Sequence, residues 1–279
     1  MRRPFSSALL PLLLLAGCAT LSIPEERRLG AEFDHEARRQ YRFINDPVVV
    51  GYVSKIGQDV VRVAGPQPFE YRFYVIDEPE INAFAGPGGS IYVQSGTILA
   101  ARNVSELAGV IAHEVGHVAR RHIAQNYSKQ QAANIGQEVL VVGAGIAGGS
   151  AAASGANLLG GLGMTAVLNS FGREAEREAD DFAIGVLPQA GYDPNGLPSF
   201  FETLQAKGGS QVPQFLSSHP ATSDRLAATR AAIAKESLPP DLRVDDDGRL
   251  EIIQQRIRLL TDGGRPAYRP GGSYAPGSR

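Results

Sequence analysis

The sequence is poor in several residue types that carry specific functions. It contains one cysteine, Cys18, among 279 residues, which excludes an intramolecular disulfide. Tryptophan is absent and aromatic residues make up only 7% of the chain, so a surface that stacks on bases or sugars is not indicated. The net charge of -2 lacks the basic excess of nucleic-acid-binding proteins. Nucleic acid is therefore not an expected partner.

The chain nevertheless has enough apolar residues for a sizeable core. Hydrophobic residues make up 43% of the sequence. At about 100–200 residues per domain, the length allows one large domain or two small ones. We assign residues 27–261 to one domain and predict that the Gly- and Pro-rich residues 262–279 form a disordered tail.

The amino terminus has the layout of a secretory signal. Arg2 and Arg3 precede a short apolar run over residues 8–16, too short to span a bilayer. The run ends in Leu-Ala-Gly-Cys at Cys18, which resembles a bacterial lipobox. We therefore predict a signal peptide over 1–17. The alternative is an ordinary signal peptide that happens to contain a cysteine.

A lipidated Cys18 would begin a linker over residues 18–26 and attach the protein to a membrane. Acyl chains contribute about 0.8 kcal/mol for each buried CH₂ group, so several chains on one cysteine anchor a protein firmly. The residue after Cys18 is Ala19 rather than aspartate. By resemblance to lipoproteins of double-membraned bacteria, this favours the periplasmic side of the outer membrane.

Apolar periodicity and turn residues predict an α+β fold that is mostly helical, with a small, mostly antiparallel sheet. Asp46 is the expected N-cap of the second helix, with Pro47 at its first position, and Ser105 is the expected cap of the third predicted helix, over 105–125. Helices are predicted over 24–45, 46–64, 105–125, 172–187 and 248–260, near 193–206 and after the loop at 217–222; strands are predicted over 71–77, 81–85 and 90–96.

Residues 139–172 carry no charge and are rich in glycine and alanine. A transmembrane helix over 139–168 is one interpretation, and it would make the protein an inner-membrane enzyme. Glycine, however, disfavours helix formation and contributes little apolar surface. We favour close-packed helical segments that lie over a site.

Three of the five histidines lie within residues 110–122. His113 and His117 are four residues apart, which on a helix corresponds to about 40° of rotation and roughly 6 Å of rise. Both imidazoles therefore face one point, as in the HExxH motif that binds zinc. Glu114 projects from the same edge and could act as a general base on a water. The alternative is a chance match on a solvated helix face.

A third ligand could come from the acidic helix that follows the uncharged segment. Glu174, Glu176, Glu178 and Asp180 are candidates. Glu176 and Asp180 share one helix face and border its apolar side, where a carboxylate needs a partner. Arg–Glu pairs on a surface helix are the alternative.

These motifs together resemble the HtpX and CAAX-prenyl-protease type of zinc metallopeptidases. The resemblance rests on HExxH, on an R-x-x-E-x-x-A-D helix about 60 residues later, and on segments 82–96 and 217–226. It covers roughly residues 25–235 and is nearest to periplasmic, BepA-like lipoprotein members. It implies a gluzincin-like fold, although the chain lacks both a C-terminal helical-repeat domain and clear spanning helices.

The resemblance also implies roles for individual residues. The zinc ligands would be His113, His117 and Glu176, holding one Zn²⁺ per chain, and Glu114 would be the base. Asp180 would hold a ligand imidazole. Helix geometry rather than the resemblance indicates that His122 is structural, because it follows His117 by five residues, about 140° around the helix. His219 would be a fourth ligand that switches the site off, or a donor to the oxyanion; the alternative is a surface residue of its loop. Extended peptide substrates would bind at Asn82, Ala83 and Phe84.

We therefore expect a zinc-dependent endopeptidase of the bacterial envelope that acts on unfolded or misassembled envelope proteins. The alternative is an assembly chaperone or scaffold lipoprotein with a mainly structural zinc, since a structural site is normally closed by four protein ligands.

The lipid anchor gives a direct prediction. Cys18→Ser should shift the protein from the membrane fraction to the periplasm, or leave its signal peptide uncleaved, because no sulfur remains to carry acyl chains. Fractionation and mass spectrometry of the mature amino terminus would measure this. Normal processing together with membrane retention of the variant would exclude the lipobox.

Overall fold

The structure is a computed structural model that describes residues 20–131, 171–207, 214–220 and 222–262. Three strands and ten α-helices are present in these ranges. The strands are β1 (Arg72–Ile76), β2 (Ala83–Ala85) and β3 (Ser90–Gln94). The helices are α1 (Ile23–Gln40), α2 (Pro47–Val63), α3 (Ser95–Ala100), α4 (Val104–Ala119), α5 (122–131), α6 (Arg173–Ala190), α7 (Gly196–Lys207), α8 (Gln214–Ser218), α9 (Ser223–Ile233) and α10 (Arg249–Asp262).

The first two helices begin at side-chain caps that the sequence encodes locally. Ser22 and Glu25 form a capping box at the start of α1, which therefore takes in residues 23–26 of the predicted linker. Asp46 caps α2 by accepting hydrogen bonds from the amides of Val48 and Val49, as predicted. Pro47 occupies the first turn of that helix, where its missing N–H costs nothing.

The helix predicted over 105–125 is instead two helices. Asn103, not Ser105, caps α4 by accepting a hydrogen bond from the Glu106 amide. The helix ends at Ala119, and Arg121 has a positive φ of 58°, which a continuing helix does not allow. A second helix then begins at residue 122. The prediction failed because a left-handed arginine leaves no signature in apolar periodicity.

The predicted small sheet is present, but it is mixed rather than mostly antiparallel. Its order is β1-β3-β2, with β1 and β3 parallel and β2 and β3 antiparallel. The antiparallel pair is the expected hairpin around Gly86–Gly89. From β1 the chain passes to the far edge of the sheet, where it forms β2, and then turns back through the hairpin into the central strand, β3. β3 therefore runs parallel to β1, and the two outer strands, β1 and β2, run in opposite directions.

The two faces of the sheet have different roles. Phe84, Tyr92 and Tyr74 lie opposite one another across the three strands and stack, with Phe33 of α1 packed against Phe84 and Tyr92. The alternate residues, including Ala83, lie on the opposite face, where α4 packs against β2 and β3. The sheet is thus covered by α1 on one side and supports α4 on the other.

Helix α4 is the centre of the molecule, since all of its residues from Val104 to Val118 are buried. Glycines allow its neighbours to approach closely. A Cβ added at Gly116 would lie 3.1 Å from the Ala179 Cα on α6. One added at Gly109 would lie 2.7 Å from the backbone nitrogen of Leu197 on α7. The motif helix is therefore clamped between α6, α7 and the sheet.

Several predictions fall on residues outside the described ranges. They are the signal peptide and Cys18, the membrane-span interpretation of 139–168, and the disordered tail beyond residue 262. Among the helices of the described ranges, none combines the length and apolar character needed to cross a bilayer.

Candidate metal centre

Four predicted site residues come together at the interface of α4 and α6. His113 and His117 come from α4, Glu176 from α6, and His219 from the segment that follows α8. Their ligand atoms all lie within 4.8 Å of one another. All four side chains are buried, with exposures between 0% and 4%.

The spacing of these atoms is compatible with their binding one metal ion. Bonds of about 2.0–2.1 Å to zinc place two tetrahedral ligands roughly 3.3–3.4 Å apart. His113 Nε2 lies 3.0 Å from His117 Nε2, 3.2 Å from His219 Nδ1 and 3.4 Å from a Glu176 oxygen. The His117 Nε2 and His219 Nδ1 atoms lie 3.6 Å and 3.0 Å from the other Glu176 oxygen. The donor set of three imidazoles and one carboxylate suits zinc.

The charge distribution of the cluster also calls for a cation. Burial lowers the pKa of His117 well below its ordinary value, and the neighbouring imidazoles of His113 and His219 lower it further. Burial alone would raise the pKa of Glu176, but His219 and His113 overcome this effect and the net shift is downward. His117 and Glu176 therefore have the protonation states of metal ligands, a neutral imidazole and a carboxylate. Burial alone would lower the pKa of His113, but Asp180 and Glu176 overcome this effect and the net shift is upward.

Glu114 stands beside this cluster without belonging to it. Its side chain is fully buried, and within the described residues neither of its carboxylate oxygens makes a well-formed hydrogen bond; the Ala85 backbone amide is near enough only to lower the pKa slightly. The nearest ring nitrogen, His219 Nε2, lies 3.5 Å from Oε1. Burial raises the pKa of Glu114 to about 7, and His219 partly offsets this. A carboxyl group in this condition is suited to exchange a proton near neutral pH.

Asp180 lies where the sequence places it, behind His113. Its Oδ1 accepts a hydrogen bond from His113 Nδ1 at 2.9 Å. This contact keeps the proton on Nδ1 and leaves the Nε2 lone pair directed at the cluster.

Sequence reasoning missed Arg225, which balances the negative charge of α6. Its Nε and Nη2 donate to Asp180 at 2.6 and 2.8 Å, and its Nη1 lies 2.7 Å from Glu176. Another hydrogen bond joins Nη1 to the Pro220 carbonyl at 3.3 Å. Arg225 therefore links the loop that carries His219 to the ligand helix. It lies in the late segment 217–226, but only the fold shows what its charge contacts.

Two more side chains surround His117. His122 Nδ1 lies 2.9 Å from His117 Nδ1, and its Nε2 lies 3.0 Å from Glu178. Phe171 stacks on the His117 ring with centroids 3.9 Å apart. The prediction that His122 is not a ligand agrees with this geometry, but its contact with His117 was not foreseen.

The predicted substrate-binding residues lie on β2, a terminal strand of the sheet. The Phe84 ring belongs to the aromatic stack beneath α1, so it does not face the cluster. The Asn82 carbonyl accepts hydrogen bonds from the Gln94 amide and the Thr97 hydroxyl. Phe215 of α8 donates its amide to Ile81, just before the strand.

Comparison with known proteins agrees with this architecture. Residues 48–233 match the sequence family described as Peptidase family M48. The beta-barrel assembly-enhancing protease of Escherichia coli is 36% identical over 216 residues, which cover 76% of this chain and 44% of that protein. A putative beta-barrel assembly-enhancing protease of Vibrio cholerae is 35% identical over 221 residues, covering 76% of this chain and 45% of that protein.

A shorter relative matches as well. The metalloprotease LoiP of Escherichia coli is 32% identical over 172 residues, 62% of this chain and 66% of that protein. The chain spans less than half the length of the two longer relatives.

The fold and the buried cluster are those of a metallopeptidase domain. The chain belongs to Peptidase family M48, whose match includes all four residues of the cluster. This confirms the predicted fold class and family resemblance, and it supports the predicted enzyme class, a metalloendopeptidase.

The buried position of Arg225 gives a prediction about stability. Arg225→Ala should lower the free energy of unfolding of the metal-free protein by about 3–5 kcal/mol, because Asp180 and Glu176 would be left as uncompensated buried charges. Urea denaturation followed by circular dichroism would measure the loss.

The matched control lies on the same helix. Arg230 pairs with Glu202, and both side chains are 46% exposed, so Arg230→Ala should cost no more than about 1 kcal/mol. Equal losses for the two variants would show that the Arg225 contacts do not stabilise the site.

Proposed function

We propose that this protein is a zinc-dependent endopeptidase of the bacterial cell envelope. The observation that carries the proposal is Glu114, a fully buried carboxyl group without a well-formed hydrogen bond in the described part of the chain, next to four ligand side chains whose atoms lie within 4.8 Å of one another. An unpaired buried carboxyl is costly and requires a compensating use. A general base that must stay free to reach a water is such a use.

The roles of the residues follow from their positions. His113, His117 and Glu176 would hold the zinc. When bound, the ion would supply a Lewis acid that polarises both a water and the scissile carbonyl. Glu114 would accept a proton from the attacking water and deliver it to the leaving amine. Asp180 would orient His113 through the Nδ1 hydrogen bond.

His219 supports a resting state in which the site is closed. A catalytic zinc keeps three protein ligands and an open fourth position. His219 Nδ1 lies 3.2 Å from His113 Nε2 and 3.0 Å from Glu176, where a fourth ligand would lie. Its other nitrogen faces Glu114, the proposed base. A histidine here excludes water from the ligand cluster and from the base, so substrate would have to displace the His219 loop.

The substrate is proposed to bind as an extended peptide along β2. This strand is terminal in the sheet and precedes the turn that lies over α1. Backbone pairing with an edge strand recognises a chain by its extended conformation rather than by its sequence. Unfolded segments satisfy this requirement, whereas folded proteins do not.

The biological role is proposed from the relatives. Two of them are named for enhancing β-barrel assembly, which supports a role in removing misfolded or misassembled envelope proteins. The predicted lipid on Cys18 would place the domain on the periplasmic side of the outer membrane.

The alternative is a chaperone or scaffold lipoprotein with a structural zinc. The specific observation in its favour is the fourth ligand, His219, because closed four-ligand sites are typical of structural zinc. The unpartnered Glu114 favours the enzyme, since a structural site has no use for a free buried carboxyl group.

The ligand and base assignments predict two distinct phenotypes. His113→Ala, His117→Ala and Glu176→Ala should each abolish stoichiometric zinc binding. Glu114→Gln should retain zinc and lose about 10²- to 10⁴-fold in casein hydrolysis, the usual contribution of a general base. Metal analysis of the purified proteins and a fluorescent casein assay would measure both.

The control for this series is Glu174→Ala, an exposed carboxylate on α6 that pairs with Arg177. It should keep zinc and activity. Full zinc occupancy in Glu176→Ala with loss in Glu174→Ala would mean that the α6 register is wrong. Undiminished proteolysis by Glu114→Gln would instead favour the chaperone.

The closed resting state predicts the effect of removing His219. His219→Ala should keep zinc and show equal or higher basal casein hydrolysis, because the fourth position would become available to water. If His219 instead donates to the oxyanion, the same variant should keep zinc and lose roughly 10²- to 10³-fold in kcat. Initial rates at saturating casein separate these two roles.

A further inference from the structure

The two ligand histidines of α4 are supported in different ways. A metal-bound imidazole needs one nitrogen free of a proton and the other engaged as a donor. For His113 the partner is the carboxylate of Asp180, at 2.9 Å from Nδ1. For His117 the Nδ1 partner is another imidazole, His122, at 2.9 Å.

Only one arrangement of protons satisfies this pair of imidazoles when His117 Nε2 faces the ligand cluster. His117 Nδ1 must carry the proton and donate, so His122 Nδ1 must accept. A neutral imidazole that accepts at Nδ1 holds its proton on Nε2. Glu178 Oε2 lies 3.0 Å from that Nε2 and accepts its hydrogen bond. Each hydrogen bond in the series Glu178–His122–His117 therefore has one donor and one acceptor.

The backbone conformation between His117 and His122 allows their side chains to meet. On a continuous helix, residue 122 would lie about 140° around the axis from residue 117 and could not reach its ring. The break after Ala119 and the left-handed Arg121 redirect the chain, so that the two rings lie 5.0 Å apart. Arg121 is fixed in turn by an ion pair of 2.8 Å with the buried Glu26 of α1.

Phe171 stacks on one face of the His117 ring. His117 thus has an aromatic ring on one face and His122 at its outer nitrogen. Its orientation is determined by neighbours outside the ligand cluster.

We infer that His122, held by Glu178, is the positioning residue that fixes the tautomer and the ring orientation of His117. The inference rests on the proposed metal site and adds to it a second histidine–carboxylate support, built from α5 and α6. Because the Glu178 side chain is 41% exposed whereas His122 is 2% exposed, His122 should contribute the larger part.

The test measures zinc affinity in the purified full chain. After removal of metal, Zn²⁺ is titrated in competition with a chromogenic chelator for the wild type, His122→Ala, Glu178→Ala and Glu174→Ala. Loss of such outer partners weakens metal binding by about 10- to 100-fold. We expect a loss in this range for His122→Ala, a smaller loss for Glu178→Ala, and wild-type affinity for Glu174→Ala, which alters the same helix away from His122.

The unfolding midpoint of each metal-free variant is measured alongside. A merely structural His122 would lower this midpoint and leave the Zn²⁺ affinity of the folded protein unchanged, which would overturn the inference. Should His122→Ala fail to fold, Glu178→Ala decides: an affinity equal to that of Glu174→Ala overturns the inference, and a weaker one supports it.

The same titration separates this inference from the proposed function. If the wild type and His117→Ala bind Zn²⁺ equally, the metal site itself is wrong. If only His117→Ala loses binding and the His122 and Glu178 variants keep it, the metal site stands and the positioning role is wrong.

Discussion

The rest of the structure depends on the burial of charged and titratable side chains between α4 and α6. Removing a carboxylate from water costs several kcal/mol unless a partner of opposite charge replaces the solvent. Glu176 and Asp180 are both 4% exposed, and Arg225 contacts each of them. This need for compensation brings α9 onto α6. It also places the preceding loop, with His219, over the ligand atoms. The position of His219 next to the cluster is thus a consequence of how the buried charges are neutralised.

The positions of the ligand side chains also depend on how closely α4 and α6 approach each other. Gly116 lets α6 approach α4 so closely that an added Cβ would lie 3.1 Å from Ala179. Glu176 lies about one turn before Ala179 and Asp180 directly follows it, so both carboxylates lie next to the two histidines. A larger residue at this position would require α6 to shift by a few tenths of an ångström or more, and Glu176 and Asp180 would shift with it. The small residue between the two histidines therefore belongs to the geometry of the site.

Sequence reasoning succeeded where local chemistry decides the structure and failed where it does not. Asp46 was predicted as a cap correctly, because capping involves amides two or three residues away. Asn103 was missed in favour of Ser105, since both residue types cap well and only the backbone selects between them. The parallel pairing of β1 with β3 was missed because strand order depends on how the chain crosses the sheet, which turn residues do not encode.

The sequence by itself determined the ligand helix. Residues four apart on a helix share a face whatever surrounds them, so the convergence of His113 and His117 and the offset of Glu114 follow from helix geometry. Only the tertiary structure decided which partners these residues have. Arg225 and His219 reach the site from segments more than 100 residues away along the chain. His122 reaches the site because a single left-handed residue, Arg121, redirects the chain. Such contacts depend on packing between distant elements and on one backbone dihedral, and neither is encoded in the spacing of residues along the chain.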